Sequence, residues 1–187
     1  WIMIGANDLK IGMTIQFENN IYIVLDSEHV KPGKGISLRK TKLKNLRTGS
    51  ITEHTFNSDD KVEPARIEKK KMQFLYELNG IYYFMDNNTF EQIDLSESIL
   101  GDDAKLLKEN LDVDIMFFEG EMLGINLPDK IALKVVHTEP GVKGNTTGTA
   151  MKDATLESGL VVKVPMFIEQ DEMILVSSKD RKYVSRA

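Results

Sequence analysis

Lys31-Pro32-Gly33-Lys34-Gly35, at the centre of a longer stretch from His29 to Gly49, is the segment around which the rest of the chain is organised. Upstream, Ile21 to Val30 alternates Ile21, Ile23 and Leu25 with Tyr22, Val24 and Asp26, which is the period of a strand. Downstream, Ile36 to Arg47 extends again and stops at Thr48-Gly49. Two extended runs joined by a Pro-Gly turn predict a β-hairpin. Pro32 fixes φ and has no amide hydrogen, while Gly33 and Gly35 allow dihedrals closed to other residues. The expected tip therefore exposes one long cationic side chain, Lys34, and little else.

The charge around this tip is local. Between Lys31 and Thr52 there are seven basic residues (Lys31, Lys34, Arg39, Lys40, Lys42, Lys44 and Arg47) and no Asp or Glu, against a formal net charge of −5 for the whole chain, so the remainder carries −12. A clustered basic hairpin can hold a polyanion through counterion release where the rest of the molecule would repel it. Arg39, Lys40, Lys42, Lys44 and Arg47 are accordingly candidate RNA-binding residues. The bland alternative is a solvated strand whose lysines discourage edge-to-edge pairing.

A chain of 187 residues suits one large or two to three small domains. The absence of cysteine excludes a disulfide framework and a thiolate zinc site, and points to a reducing, cytoplasmic setting. No apolar run approaches the ~18 residues of a membrane span.

Domain boundaries are expected near 64/65 and 127/128. Residues 1–64 read as short strands with a tight Glu18-Asn19-Asn20 turn, the spacing of a small barrel. Residues 65–127 hold a second hairpin at Asn79-Gly80, the strongest short turn pair. A short amphipathic helix is expected over Asp102 to Leu111, with Ala104, Leu107 and Leu111 on one face. A third hairpin follows at Glu119-Gly120. Phe74, Tyr76, Tyr82 and Phe84 are expected to pack in or beside a core, although exposed aromatics on such a barrel can stack bases. This segment has six basic and thirteen acidic residues, so it should avoid RNA and face solvent or basic protein.

Residues 128–187 contain a strand over Ile131 to Val136, a Gly- and Thr-rich loop over Thr138 to Met151, and three later strands. Gly144-Asn145-Thr146-Thr147-Gly148-Thr149 offers amides and hydroxyls to an anion or a phosphate backbone. It is no Walker loop, since no Gly-Lys-Ser/Thr follows. The coarse plan shared by the last two segments is that of a duplicated OB-fold.

His29, His54 and His137 are scattered, and no zinc-protease or nucleophile-elbow spacing occurs, so neither an enzyme, a metal nor a cofactor is expected. Asp59-Asp60 and Asp102-Asp103 are explained by a turn and a helix start.

Two sets of residues resemble bacterial elongation factor P. One is the Lys31 to Gly35 tip with its return strand Thr41-Lys42-Leu43-Lys44-Asn45-Leu46-Arg47-Thr48-Gly49. The other is Lys152-Asp153-Ala154, Gly159, Val162-Lys163-Val164-Pro165 and the closing Tyr183-Val184-Ser185-Arg186. At the turn two residues beyond Ile168, where the family usually has Gly, this chain runs Glu169-Gln170-Asp171-Glu172.

The resemblance implies an all-β, L-shaped, tRNA-like monomer of one SH3/KOW-like barrel and two OB-folds. It further implies binding to the 70S ribosome between the P and E sites when consecutive prolines stall synthesis, with Lys34 beside the acceptor end of the peptidyl-tRNA. Lys34 would commonly be lengthened by a modifying enzyme, and the chain lies outside the family's arginine-tipped branch. Gly144 to Thr149 would approach the small subunit and exit-site message, and Tyr183 and Arg186 would belong to the C-terminal contact surface. Shorter archaeal and eukaryotic relatives resemble only the first two domains. The alternative from the residues alone is a general single-stranded RNA-binding OB protein.

Overall fold

The computed structural model describes residues 2–141 and 150–187, and the regular structure is mostly strand. The first sheet contains β1 (Ile4–Gly5), β2 (Thr14–Phe17), β3 (Asn20–Val30), β4 (Leu38–Asn45), β5 (Ile51–Asn57) and β6 (Lys61–Pro64), in the order β1-β6-β2-β3-β4-β5. The second contains β7 (Glu68–Leu78), β8 (Ile81–Asp86), β9 (Gln92–Ser96), β10 (Asp112–Phe118) and β11 (Glu121–Asn126), ordered β11-β10-β7-β8-β9. The third contains β12 (Lys130–Thr138), β13 (Met151–Leu156), β14 (Val161–Pro165), β15 (Met173–Ser177) and β16 (Lys182–Arg186), ordered β14-β13-β12-β15-β16. The expected all-β architecture of barrel-like sheets is what the chain adopts.

Tight turns set the registers where the sequence announces them. Glu18 and Asn19 both take positive φ (50° and 63°) between Phe17 and Asn20, which pair directly, so two residues close this hairpin. Asn79 and Gly80 (52° and 78°) do the same between Leu78 and Ile81. Both geometries match the right-handed twist of the flanking strands. At the variant turn after Ile168, Asp171 itself adopts φ 69°, its amide donating to the Val135 carbonyl at 2.8 Å. Aspartate tolerates this conformation better than most residues, which is how the turn forms there.

By mutual contact the chain divides into two compact units, Trp1–Lys69 with Ile115–Gly124 and Lys70–Asp114 with Ile125–Ala187. In the first, Ala6, Leu9, Ile15, Val24, Leu43, Phe56 and Val62 form one core, and Ile21, Ala65 and Phe118 a smaller one. In the second, Ile131, Leu133, Val135, Leu156, Val164, Ile168, Ile174 and Val176 surround a buried Leu106.

Two expectations change. The helix expected over Asp102 to Leu111 is instead a single turn α1 (Glu97–Leu100) running into a 3-10 segment Gly101–Leu106. Gly101, at φ 58° and ψ −137°, breaks the α-helical path, and Leu107 is already extended. With about three residues per turn instead of 3.6, Leu106 turns inward beside Ala104. The second change is β13, a strand additional to the three expected after the loop, whose inward row is Lys152, Ala154 and Leu156. A lysine in that row hides the apolar alternation, yet Lys152 is 9 % exposed, its ammonium donating to the Glu139 carbonyl at 2.6 Å.

Of the four aromatics expected in or beside a core, Phe74 and Phe84 are buried with centroids 5.5 Å apart, Tyr82 is half-buried, and Tyr76 is 46 % exposed.

Candidate functional site

β3 and β4 close at the Val30–Leu38 pair, leaving Lys31 to Ser37 as the loop. Every residue from Lys31 to Ile36 is exposed. Gly35 has φ +151°, a conformation L side chains rarely adopt, so its glycine is required by the backbone. Gly33 has no such φ and open space around its Cα, so only one of the two glycines is conformationally obligatory. Lys34, between them, makes no hydrogen bond or ion pair among the described residues.

The base of this loop is braced while its tip is free. The His29 imidazole reaches Asn7 Oδ1 through Nδ1 (3.2 Å) and Ser37 Oγ through Nε2 (2.7 Å). Ser37 also accepts from Ser58, carbonyl to amide at 2.9 Å and hydroxyl to hydroxyl at 3.0 Å. Sequence reasoning missed this brace, because Ser58 lies 21 residues beyond Ser37 and nothing in its neighbourhood signals the contact.

Strand register redistributes the charge counted along the sequence. A bulge at Leu25 lets Val24 face Leu43 and then brings Asp26 opposite Lys42 and Glu28 opposite Lys40. On the other side Glu53 pairs with Lys42, and its carboxylate lies 3.9 Å from the Lys40 ammonium. Lys40, Lys42 and Lys44 thus form one outer row with three acids beside it, because cross-strand neighbours share a face. Lys44 stands between Ile23 and Ile51.

Arg39 belongs to the opposite, inner row with Thr41, Leu43 and Asn45. Its Nε donates to Ser27 Oγ at 2.8 Å and its Nη2 to the Leu9 carbonyl at 3.3 Å, and Ser27 Oγ donates to the same carbonyl at 2.8 Å. Arg39 therefore ties the turn at Ala6–Asp8 to the hairpin. We expect Arg39→Ala to lower the unfolding free energy by about 1–2 kcal/mol, the scale of charge-assisted hydrogen bonds in a half-buried site. Lys42→Gln should stay within about 0.5 kcal/mol. Urea denaturation measures both, and equal effects would contradict the inward role.

Arg47 is also engaged. Its guanidinium donates to both Glu121 carboxylate oxygens (3.1 and 2.9 Å) and to the Asn19 carbonyl at 3.0 Å. Such a two-pronged pair fixes orientation as well as charge. Of the seven clustered cations, Lys31 and Lys34 are the two carried on the exposed loop itself.

Elsewhere, Arg186 donates to Glu172 at 3.1 Å and lies 4.6 Å over the Phe167 ring, and Tyr183 packs partly buried against the third sheet's core. Gly144 to Thr149 lie outside the described residues. The His54 ring lies tilted 4.5 Å from Phe17 and edge-on 4.4 Å from Phe56, and His137 stands 3.5 Å from Glu139. No group of three or more His, Asp or Glu able to hold a metal occurs among the described residues, and no helix among them is long and apolar enough to cross a membrane.

Among solved structures, a translation initiation factor 5A from Methanococcus jannaschii superposes with a TM-score of 0.56 at 21 % identity, covering 67 % of this chain and 92 % of that one. A translation initiation factor 5A family protein from Naegleria fowleri gives 0.53 at 15 % identity, with 67 % and 98 % covered. At these identities the likeness is one of fold, and it is nearly the whole of each relative that matches two thirds of this chain. Family models match in succession: the elongation factor P KOW-like domain over residues 5–62, its OB domain over 67–125 and its C-terminal domain over 131–186. Spanning nearly all of the sequence, they show that the chain belongs to the elongation factor P family of translation factors.

Proposed function

We propose that this translation elongation factor binds the ribosome between the P and E sites and promotes peptide-bond formation at polyproline stalls, with Lys34 as the group that positions the peptidyl-tRNA. The observation carrying this reading is the contrast within the hairpin: a braced base, outer lysines beside acids, Arg39 and Arg47 held by hydrogen bonds to the rest of the fold, and Lys34 exposed at the loop between two glycines with no hydrogen bond or ion pair among the described residues. Proline is a rigid, poor nucleophile, and a factor without a general base can still accelerate its reaction by holding the tRNA end in a near-attack arrangement, an effect of several kcal/mol. Such a factor acts as a cytoplasmic monomer, with no cofactor and no covalent step of its own. The unmodified side chain reaches only ~6 Å, so an enzyme that lengthens Lys34 would extend its range.

The test is translation of a message encoding three consecutive prolines in a reconstituted system, read by toeprinting. Relief of the stall on adding this protein is expected. An unchanged stall, together with tight binding of free single-stranded RNA in a filter assay, would favour a general RNA-binding protein instead.

A further inference from the structure

The second unit carries a concave feature that has no part in the hairpin. A cavity of about 650 Å³ is walled by Phe74, Tyr76 and Tyr82 and rimmed by Glu77, Glu109 and Glu157. Its volume lies in the range of ligand-sized clefts. Phe74 and Tyr82 have centroids 5.9 Å apart, and Tyr76 stacks on Tyr83 at 4.7 Å.

The rim is anionic. Among the described residues none of the three glutamates takes part in an ion pair. Among the described residues Glu77 accepts only from the Gly80 amide, at 2.7 Å. The one cation lining the cavity, Lys108, donates its ammonium to the Ala132 carbonyl. Ser158 Oγ, on the same wall, is buried and has no hydrogen-bond partner among the described residues. Burial raises the Tyr82 phenol above its ordinary value, and the fields of Glu97 and Glu77 raise it further, so the local potential is negative. A phosphate would meet like charge here. A cation would meet aromatic faces whose quadrupole attracts it and carboxylates that complement it.

We propose that this cavity is a docking site for an arginine or lysine side chain presented by a basic partner protein, with the cation against Tyr76 and Tyr82 and within reach of Glu77, Glu109 and Glu157. Residues 65–127 carry thirteen acids against six bases, which favours approach of such a partner over nucleic acid. Nothing in this inference uses Lys34, so it stands or falls separately from the proposed function.

The probe is a capped Gly-Arg-Gly-Arg-Gly peptide titrated into the full chain, with residue-resolved amide spectra. Saturable shifts are expected around residues 74–77, 108–110 and 157–158. Replacing Glu77, Glu109 and Glu157 together by Gln keeps shape and turn hydrogen bonding and should weaken binding roughly tenfold, since charge-assisted bonds are about twice as strong as neutral ones. Tyr76→Ala removes an exposed ring and should weaken it roughly fivefold. Removing as many charges elsewhere, with Glu68, Glu91 and Glu169 changed to Gln, should alter affinity less than about twofold, the residue of a screened long-range effect. Equal weakening by that control set, or shifts spread without saturation, would overturn the proposal. So would a hexauridylate that binds the same residues more tightly than the peptide.

Discussion

Lys34→Ala should reduce the rate of peptide-bond formation at a triple-proline stall on the order of a hundredfold, returning it to the factor-free level, because misplacing a reacting group by about 1 Å can cost that much. The same variant should unfold at the wild-type midpoint. Lys34 is exposed and contributes no hydrogen bond or ion pair among the described residues, and surface substitutions of this kind stay within about 0.5 kcal/mol. Separation of the two readouts is the discriminating feature. Quench-flow measurement of dipeptide formation gives the rate, and thermal denaturation the stability. Lys34→Arg sharpens the result, since a guanidinium keeps the charge but differs in shape and in the chemistry of extension. If the alanine variant relieves the stall as well as wild type, the amine is no strut. If the arginine variant is fully active, charge alone suffices and lengthening of the side chain is dispensable.

The hairpin was legible because its determinants are local. Period-two alternation placed β3, the extended run from Ile36 to Arg47 placed β4, and Pro32 with Gly33 and Gly35 placed the turn between them. Its electrostatics were less legible. Arg39 shares its parity with Thr41 and Leu43, so the inward orientation was present in the alternation, but counting charges along a run treats both faces as one. The acids beside the outer lysines lie on neighbouring strands, and their register depends on a bulge at Leu25 that no residue type announces. Glu121, partner of Arg47, stands 74 positions away. Distances of that order are set by the packed fold and leave no local trace.

Turn chemistry shows the same division. Asn79-Gly80 was readable, because two positive-φ residues between apolar runs admit few alternatives. The Gly101 break was not, since the residues after it, Asp102-Asp103-Ala104-Lys105-Leu106-Leu107, fit a 3.6-residue period as well as a three-residue one. The choice between the two is made by what the leucines bury against, and that decides the second large effect.

Leu106→Ala should cost about 2–5 kcal/mol, the range for a fully buried leucine whose cavity does not collapse. Leu106 is 0 % exposed and lies in a cluster with Ile131, Leu133, Val135, Leu156 and Ile174, all from the third sheet's strands and turns. Leu111 and Leu127 pack against the same cluster. Lys108 donates to the Ala132 carbonyl, and Arg181 approaches Asp102 at 3.7 Å. The segment after β9 thus completes a core to which the sequence does not assign it. If so, the variant should lower amide protection in β12 and β15 as much as in β7 and β8, leaving β2 and β3 near wild type. Hydrogen exchange followed by mass spectrometry reads this directly. Loss of protection confined to β7 and β8 would mean that residues 65–127 fold as a body of their own, with Leu106 merely resting on its neighbour. Loss in all four strands would mean that β7, β8, β12 and β15 unfold as one cooperative piece around Leu106.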